Sequence, residues 1–249
     1  MRRCDLTPSA DYCVSVSDPF SLLSRSELSR RRARLLARIR RKYQIVEESL
    51  LIGPLRIPFT RVANPDVVLD QVCEAEDDLH LPYWAELWDS AIGVGHFLAR
   101  VQGSGFRVQN VLDLGCGMGL AGTVAAALGH DVLLADIETA ALLFAKINTL
   151  PYASRVRIRQ LNWQTDRLDE RFDLIIGADV LYERAQWEHL EPFWRAHLHE
   201  NGSILLAEPG RMTGDLFGDW IAERGWTIEL HEQRIPSRPR PIRLFQLTR

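Results

Sequence analysis

Apolar residues recur along this chain with two different periods, and the change between them divides it. Over residues 26–43, Leu28, Leu35, Leu36, Ile39 and Tyr43 fall on one face of a helix, with arginines opposite. Residues 44–60 read as a short hairpin turning at Gly53-Pro54, and Asn64-Pro65 opens a short helix, because proline suits a first helical turn. After Leu81-Pro82 the pattern changes. Residues 88–101 form an apolar helical pattern that ends in the turn Gly103-Ser104-Gly105. Beyond it strands are predicted at 108–114, 132–135, 156–161, 172–178, 203–207, 226–231 and 242–247. Helices are predicted between them at 120–128, 137–149, 184–197 and 215–224. That alternation implies an α/β fold whose parallel sheet is covered by helices on both faces. The first twenty residues carry no clear period and are expected to be mobile.

Composition changes this picture little. The 249 residues are 46% hydrophobic and 25% charged, enough apolar material for a sizeable core, and the net charge of −3 gives no global push toward nucleic acid or anionic membrane. Local charge is another matter: nine Lys or Arg lie between Arg25 and Lys42, against the single acid Glu27. This helix either steers an acidic protein or a nucleic acid, or presents a solvated face while its leucine side docks. The second reading is favoured, and the absence of interleaved aromatics argues against single-stranded nucleic acid. The four cysteines, Cys4, Cys13, Cys73 and Cys116, form no C-x-x-C pair, so neither a zinc site nor a disulfide framework is expected. There is no long apolar run for a membrane span and no signal-peptide pattern, and a cytosolic compartment is the expectation. His197 and His199, at a predicted helix end, are read as partners of the helix dipole rather than metal ligands.

The strongest local signal is Val111-Leu112-Asp113-Leu114-Gly115-Cys116-Gly117-Met118-Gly119, an apolar strand running into three glycines and then a helix. Glycine permits the sharp turn and the close approach of a ligand, and the helix behind it offers free N–H groups. Gly117 to Gly122 also satisfies G-x-G-x-x-G, the dinucleotide pattern. Asp113 argues against that reading. A carboxylate there would repel a pyrophosphate, whereas it suits a ligand carrying an ammonium and a sulfonium. Asp136, at the end of the next strand, is placed to accept hydrogen bonds from two ribose hydroxyls, which either nucleoside ligand requires. A glycine-rich turn without a ligand is the bland alternative.

Asn162-Trp163 follows the third strand of this series, where an adenine would rest. Trp163 is suited to pack on the ring and Asn162 to bond its edge, although Trp163 could equally close the core. The cluster Tyr83-Trp84-Ala85-Glu86-Leu87-Trp88-Asp89 precedes the helix before the glycine turn and is read as a lid or a packing hinge, with Trp88 the better ligand contact and Trp84 core. The fourth strand ends in Ala178-Asp179-Val180-Leu181-Tyr182. Strand ends at the carboxyl edge project polar groups into the ligand crevice. Asp179 can hold an attacking nitrogen and stabilise its developing positive charge, and Tyr182 can wall and orient the channel. The alternative for Asp179 is a cap on the following helix.

At this point the chain resembles the class I, seven-β-strand methyltransferases, through Val111 to Gly122, Asp136, Leu161 to Trp163 and Asp179 to Tyr182. Pro82-Tyr-Trp-Ala-Glu-Leu-Trp88 and Glu208-Pro-Gly-Arg211 further resemble the family 16 protein lysine methyltransferases, in the branch of the electron-transfer flavoprotein β-subunit enzyme and its bacterial relatives. Asp89 stands where that branch often has proline, and Glu208 where aspartate is more usual. The resemblance implies a Rossmann-like sheet of six parallel strands and one antiparallel strand. It also implies S-adenosylmethionine as cofactor, S-adenosylhomocysteine as product, contacts at Trp88, Gly115, Gly117, Asp136, Trp163 and Ala178, and Asp179 and Tyr182 facing a target lysine. The residues themselves add Asp113, Cys116, Gly119 and Asn162 to the cofactor set. The expected organisation is an N-terminal extension over 1–80 and a Rossmann-like domain over 81–249. The expected function is N-methylation of a protein lysine, with no metal, no membrane and no nucleic-acid partner. A small amine or heterocycle as acceptor, a non-catalytic cofactor-binding module and a dehydrogenase are the rivals.

Overall fold

A computed structural model describes residues 24–73, 81–102 and 110–249. The expectations made for residues 1–20, for the turn at 103–105 and for the start of the strand at 108 lie outside them.

Helix α1, Arg25–Arg40, opens with a capping box. The Ser24 hydroxyl accepts from the Glu27 amide at 3.2 Å, and the Ser24 amide donates to the Glu27 carboxylate at 2.8 Å. Leu36 and Ile39 are buried. Tyr43 lies past the helix end, and its ring meets Trp84 and Phe144 edge-on at 5.4 and 5.7 Å. Strands β1 (Ile45–Ile52) and β2 (Leu55–Val62) form an antiparallel hairpin whose turn uses Gly53 at φ +56°. Asn64 accepts from the Asp66 amide at 3.0 Å and so opens α2, Pro65–Cys73. Leu36, Ile39, Ile52, Ile57, Phe59 and Val62 share one hydrophobic cluster with Trp84, Met118, Val124, Phe144 and Ile147, so these N-terminal elements bury their apolar side against the rest of the chain.

The elements that follow are α3 (Asp89–Val101), β3 (Asn110–Leu114), α4 (Leu120–Ala127), β4 (Asp131–Asp136), α5 (Thr139–Asn148), β5 (Val156–Gln160), β6 (Phe172–Ala178), α6 (Arg184–His197), β7 (Leu198–Glu208), α7 (Met212–Ala222), β8 (Thr227–Gln233) and β9 (Ile242–Thr248). The seven strands from β3 on make one sheet in the order β5-β4-β3-β6-β7-β9-β8. Only β9 runs against the others, pairing antiparallel with both β7 and β8. The sheet is therefore the mostly parallel, Rossmann-like arrangement expected. Alternation along β3 sends Leu112 and Leu114 into one hydrophobic cluster and Val111 into the other, so both faces are covered. Strand β4 lies on one side of β3 and β6 on the other. The crevice at the carboxyl ends of these strands is the switch point where such sheets bind ligands.

Two elements begin three or more residues before their expected starts. β7 begins at Leu198, directly after α6, because Leu198 pairs with Phe172 before the register shifts at Leu174. α7 begins at Met212 because the preceding turn is held by Glu208, whose carboxylate accepts from the Gly210 and Arg211 amides at 2.8 and 2.7 Å. His197 is not a surface partner of the helix dipole. It is buried at 2% exposure, with Nδ1 at 2.7 Å from the Phe193 carbonyl and Nε2 accepting from the Leu168 amide at 2.9 Å. It anchors a loop to α6, while His199 is exposed on β7.

Candidate active site

The glycine turn is built where β3 runs out. The Gly115 and Cys116 amides both donate to the Ala135 carbonyl, at 2.8 and 3.0 Å, so the turn stays attached to the end of β4. Gly115, Gly117 and Gly119 all have positive φ, at +68°, +52° and +84°. Gly119 is fixed by packing as well, since a Cβ there would stand 2.8 Å from the Leu134 side chain.

Two buried acids flank this turn. Asp136 accepts from the Gly117 amide at 2.8 Å on one oxygen and from the Glu138 amide at 2.9 Å on the other. Burial raises its pKa, and those backbone hydrogen bonds oppose the rise. Asp113 is 1% exposed and points toward α4, where one oxygen accepts from the Gly122 amide at 2.7 Å. Its other oxygen, Oδ1, has no hydrogen-bond partner among the described residues. Burial pushes this carboxyl up to about 7, against the pull of the Gly122 amide and with a further push from Asp136. An acid that is buried and half-satisfied is an open electrostatic account until a cation or donor arrives.

The turn forms one end of an open cavity of about 550 Å³. Trp88, Gly115, Gly117, Asp136, Trp163, Ala178, Asp179 and Tyr182 all line it. Asp113, Cys116 and Gly119 instead line a small recess beneath the turn, together with Trp88, Gly115, Gly117 and Ala178. Burial raises the Cys116 thiol well above its ordinary value, so it sits there as an apolar group. Asn162 is not on the cavity wall. Its side-chain oxygen accepts from the Gln164 amide at 2.9 Å in a local turn, and the reason asparagine stands there is that turn. Trp163 is held by its indole N–H, which donates to Gln186 at 3.1 Å. The segment 83–88 does fold over the turn: Tyr83, Trp84 and Trp88 line the cavity, and the Trp88 indole donates to the Tyr83 carbonyl at 2.8 Å. Trp84 serves both core and cavity, at 8% exposure.

The other end is set by β6. Asp179 follows the strand with φ +62°, the sole positive φ of a non-glycine among the described residues, and is 7% exposed. It does not cap α6, whose N-cap is Glu183. One carboxylate oxygen takes two bonds from the Arg211 guanidinium, at 3.0 and 3.1 Å, and the other accepts from the Ser90 hydroxyl at 3.3 Å. Burial raises Asp179, while Arg211 and Ser90 oppose the rise. The guanidinium also lies 5.4 Å from the centroid of the Trp88 ring, within cation–π range. It is aimed by the turn that Glu208 holds, and Arg243 in turn bonds Glu208. The Tyr182 and Tyr83 rings meet at 5.5 Å beside the cavity mouth.

Sequence reasoning missed Arg211 and Ser90 as partners of Asp179, and Glu138 and Thr213 as wall residues. Glu208-Pro-Gly-Arg211 was a motif without an assigned task. Its signal was a buried-type strand ending in an acid followed by a proline-glycine turn and a cation.

Comparison with known proteins bears on this arrangement. The profile of a family described as lysine methyltransferase matches residues 72–216, an interval that contains the entire cavity wall. Among curated relatives, the protein N-lysine methyltransferase METTL21A of Xenopus tropicalis is 36% identical over 132 residues, which are 49% of this chain and 58% of that protein. The electron transfer flavoprotein beta subunit lysine methyltransferase of Danio rerio is 30% identical over 139 residues, 52% of this chain and 51% of that one. The chain thus spans little more than half the length of these relatives. Among solved structures, the N-methyltransferase NodS of Bradyrhizobium japonicum WM9 in complex with S-adenosyl-L-homocysteine aligns at a TM-score of 0.53 with 21% identity, covering 74% of this chain and 97% of that one. The fold is shared with that protein.

Proposed function

The chain belongs to the lysine methyltransferase family, and from that premise we propose that it transfers a methyl group from S-adenosylmethionine to a lysine side chain of a protein. The observation that carries the proposal is a single cavity with Gly115, Gly117 and Asp136 at one end and Asp179 and Tyr182 at the other. A cytosolic compartment, expected from cysteine usage, belongs to the same proposal.

The residues present fit such a cofactor. A cavity of about 550 Å³ is within the usual range for small-ligand sites. Asp136 suits the ribose hydroxyls and Trp163 the adenine. The orphaned Oδ1 of Asp113, at the recess beside the glycines, suits the positive methionine portion. When bound, the cofactor supplies an electrophilic methyl group.

The chain's own task is to present a nitrogen with its lone pair free and aimed. Asp179 accepts a hydrogen bond from that nitrogen and stabilises the positive charge that grows on it. Arg211 and Ser90 fix the carboxylate beforehand, so no reorganisation is needed at the moment of reaction. The rings of Tyr83, Trp88 and Tyr182 wall a channel whose faces tolerate a cation. Protein is favoured over a small acceptor by the mouth itself. Leu81, Tyr83, Tyr182 and Met212 are exposed apolar groups around it, a surface suited to contact with another chain.

Incubating the protein with a lysate and methyl-labelled S-adenosylmethionine tests this. The expected product is label in protein, recovered as methyl-lysine after hydrolysis. Label in small molecules alone would move the acceptor to an amine or heterocycle, and cofactor binding with no labelled product would make the chain a binding module.

A further inference from the structure

A second groove, of about 480 Å³, shares no lining residue with the cavity described above. Arg31 and Arg34 of α1 and Lys146 of α5 line it, and Leu35, Val156 and Ile158 are among its apolar groups. No acidic side chain lines it among the described residues. The contrast along α1 is informative. Arg32 and Arg40, on another face of the helix, both pair with Glu47. Arg34 and Lys146 have no ion pair among the described residues. Arg31 and Arg34 are also three positions apart, where like charges repel, in a chain whose net charge is negative. Arg31 has Glu27 one turn before it, whereas Arg34 and Lys146 leave exposed positive charge beside the apolar groups that an anionic partner would match.

The groove's chemistry selects among anionic partners. Among the described residues it offers no aromatic side chain on which a base could stack, which disfavours nucleic acid. Its apolar groups are half-buried or buried while Arg31, Arg34 and Lys146 are exposed, which disfavours insertion into a lipid surface. Strand β5, which supplies Val156 and Ile158, is a terminal strand of the seven-stranded sheet, so one of its sides is not paired with another strand of that sheet and suits an extended chain. The groove is also close to the active cavity. Glu138 lines the cavity and Lys146 lines the groove, eight residues apart along α5, or about 12 Å at the helical rise.

We infer that this groove docks an acidic, partly apolar peptide segment of the protein that is methylated, while a lysine of the same partner enters the cavity. The inference rests on the methyl-transfer reading for the identity of the partner, but the docking itself can be measured without turnover. A fluorescein-labelled octapeptide of alternating glutamate and valine serves as probe, read by fluorescence anisotropy. Binding to the native chain is expected, with at least a tenfold loss of affinity in Arg34→Glu/Lys146→Glu. A smaller loss is expected in Arg34→Gln/Lys146→Gln. Titration of each variant with S-adenosylhomocysteine should match the native chain, which certifies the fold. Failure of the probe to bind, or affinity unchanged by charge reversal, overturns the inference. So does a single-stranded octanucleotide or an anionic phospholipid vesicle that binds as tightly with the same sensitivity. If the probe binds as expected while S-adenosylhomocysteine does not bind the native chain, the docking stands and the methyl-transfer reading falls.

Discussion

The glycine turn and the end of β6 both bury acids, yet they balance them differently. At the glycine turn, Asp113 and Asp136 are held by backbone amides alone, and one oxygen of Asp113 has no partner among the described residues. At the end of β6, Asp179 already carries a guanidinium and a hydroxyl. The first end leaves negative charge for a ligand to match. The second is matched in advance, which is what a site needs if its carboxylate must stay in place while a neutral nitrogen reacts before it.

Three perturbations test that contrast. The largest effect is expected from Asp179→Asn, which keeps the shape but removes the charge. Methyl transfer should fall roughly 100- to 1,000-fold, the usual scale for losing a preorganised electrostatic group. The affinity for S-adenosylhomocysteine should stay within about threefold. Parallel loss of both would place Asp179 with the cofactor rather than the acceptor.

Asp113→Asn probes the unmatched end through pH. The folded carboxyl is raised from 3.8 to about 7, whereas the unfolded chain ionises it near the lower value. The native fold is therefore unpenalised below about pH 4 and loses stability progressively as pH rises toward 7. The variant cannot ionise, so it should gain on the native chain across that window. At 1.36 kcal/mol per unit the gain reaches at most roughly 4 kcal/mol by pH 8. Thermal unfolding of both chains at about pH 4 and pH 8 reads it, and a difference that does not change with pH would sink the idea. Ser90→Ala should do least. Its hydroxyl reaches Asp179 at 3.3 Å, a long bond, and Arg211 remains. A rate loss of about two- to fivefold is expected, in line with one neutral hydrogen bond of about 0.5–1 kcal/mol. A loss as large as that of Asp179→Asn would mean that Ser90, not Arg211, positions the carboxylate.

What could be read in advance follows the same division. The period of apolar residues located the sheet and its helices because burial repeats along each element, and β6 and α6 have the bounds expected of them. The glycine turn was legible because positive φ leaves glycine as its signature. Partners across the fold were not. Arg211 and Ser90 stand 32 and 89 residues from Asp179, and nothing in the spacing links them. Asn162 misled for a related reason: an asparagine after a strand can face a ligand or close its own turn, and here it closes the turn. His197 had the residue type and position of a helix-end cation, and only packing reveals that it is sealed between Phe193 and Leu168.

The most direct test of the account is a calorimetric titration of S-adenosylhomocysteine into the native chain and into Asp136→Ala. The native chain should bind one equivalent saturably, and the variant should bind about tenfold or more weakly, having lost the acceptor for the ribose at the glycine end. No binding to the native chain, or equal binding by both, would contradict it.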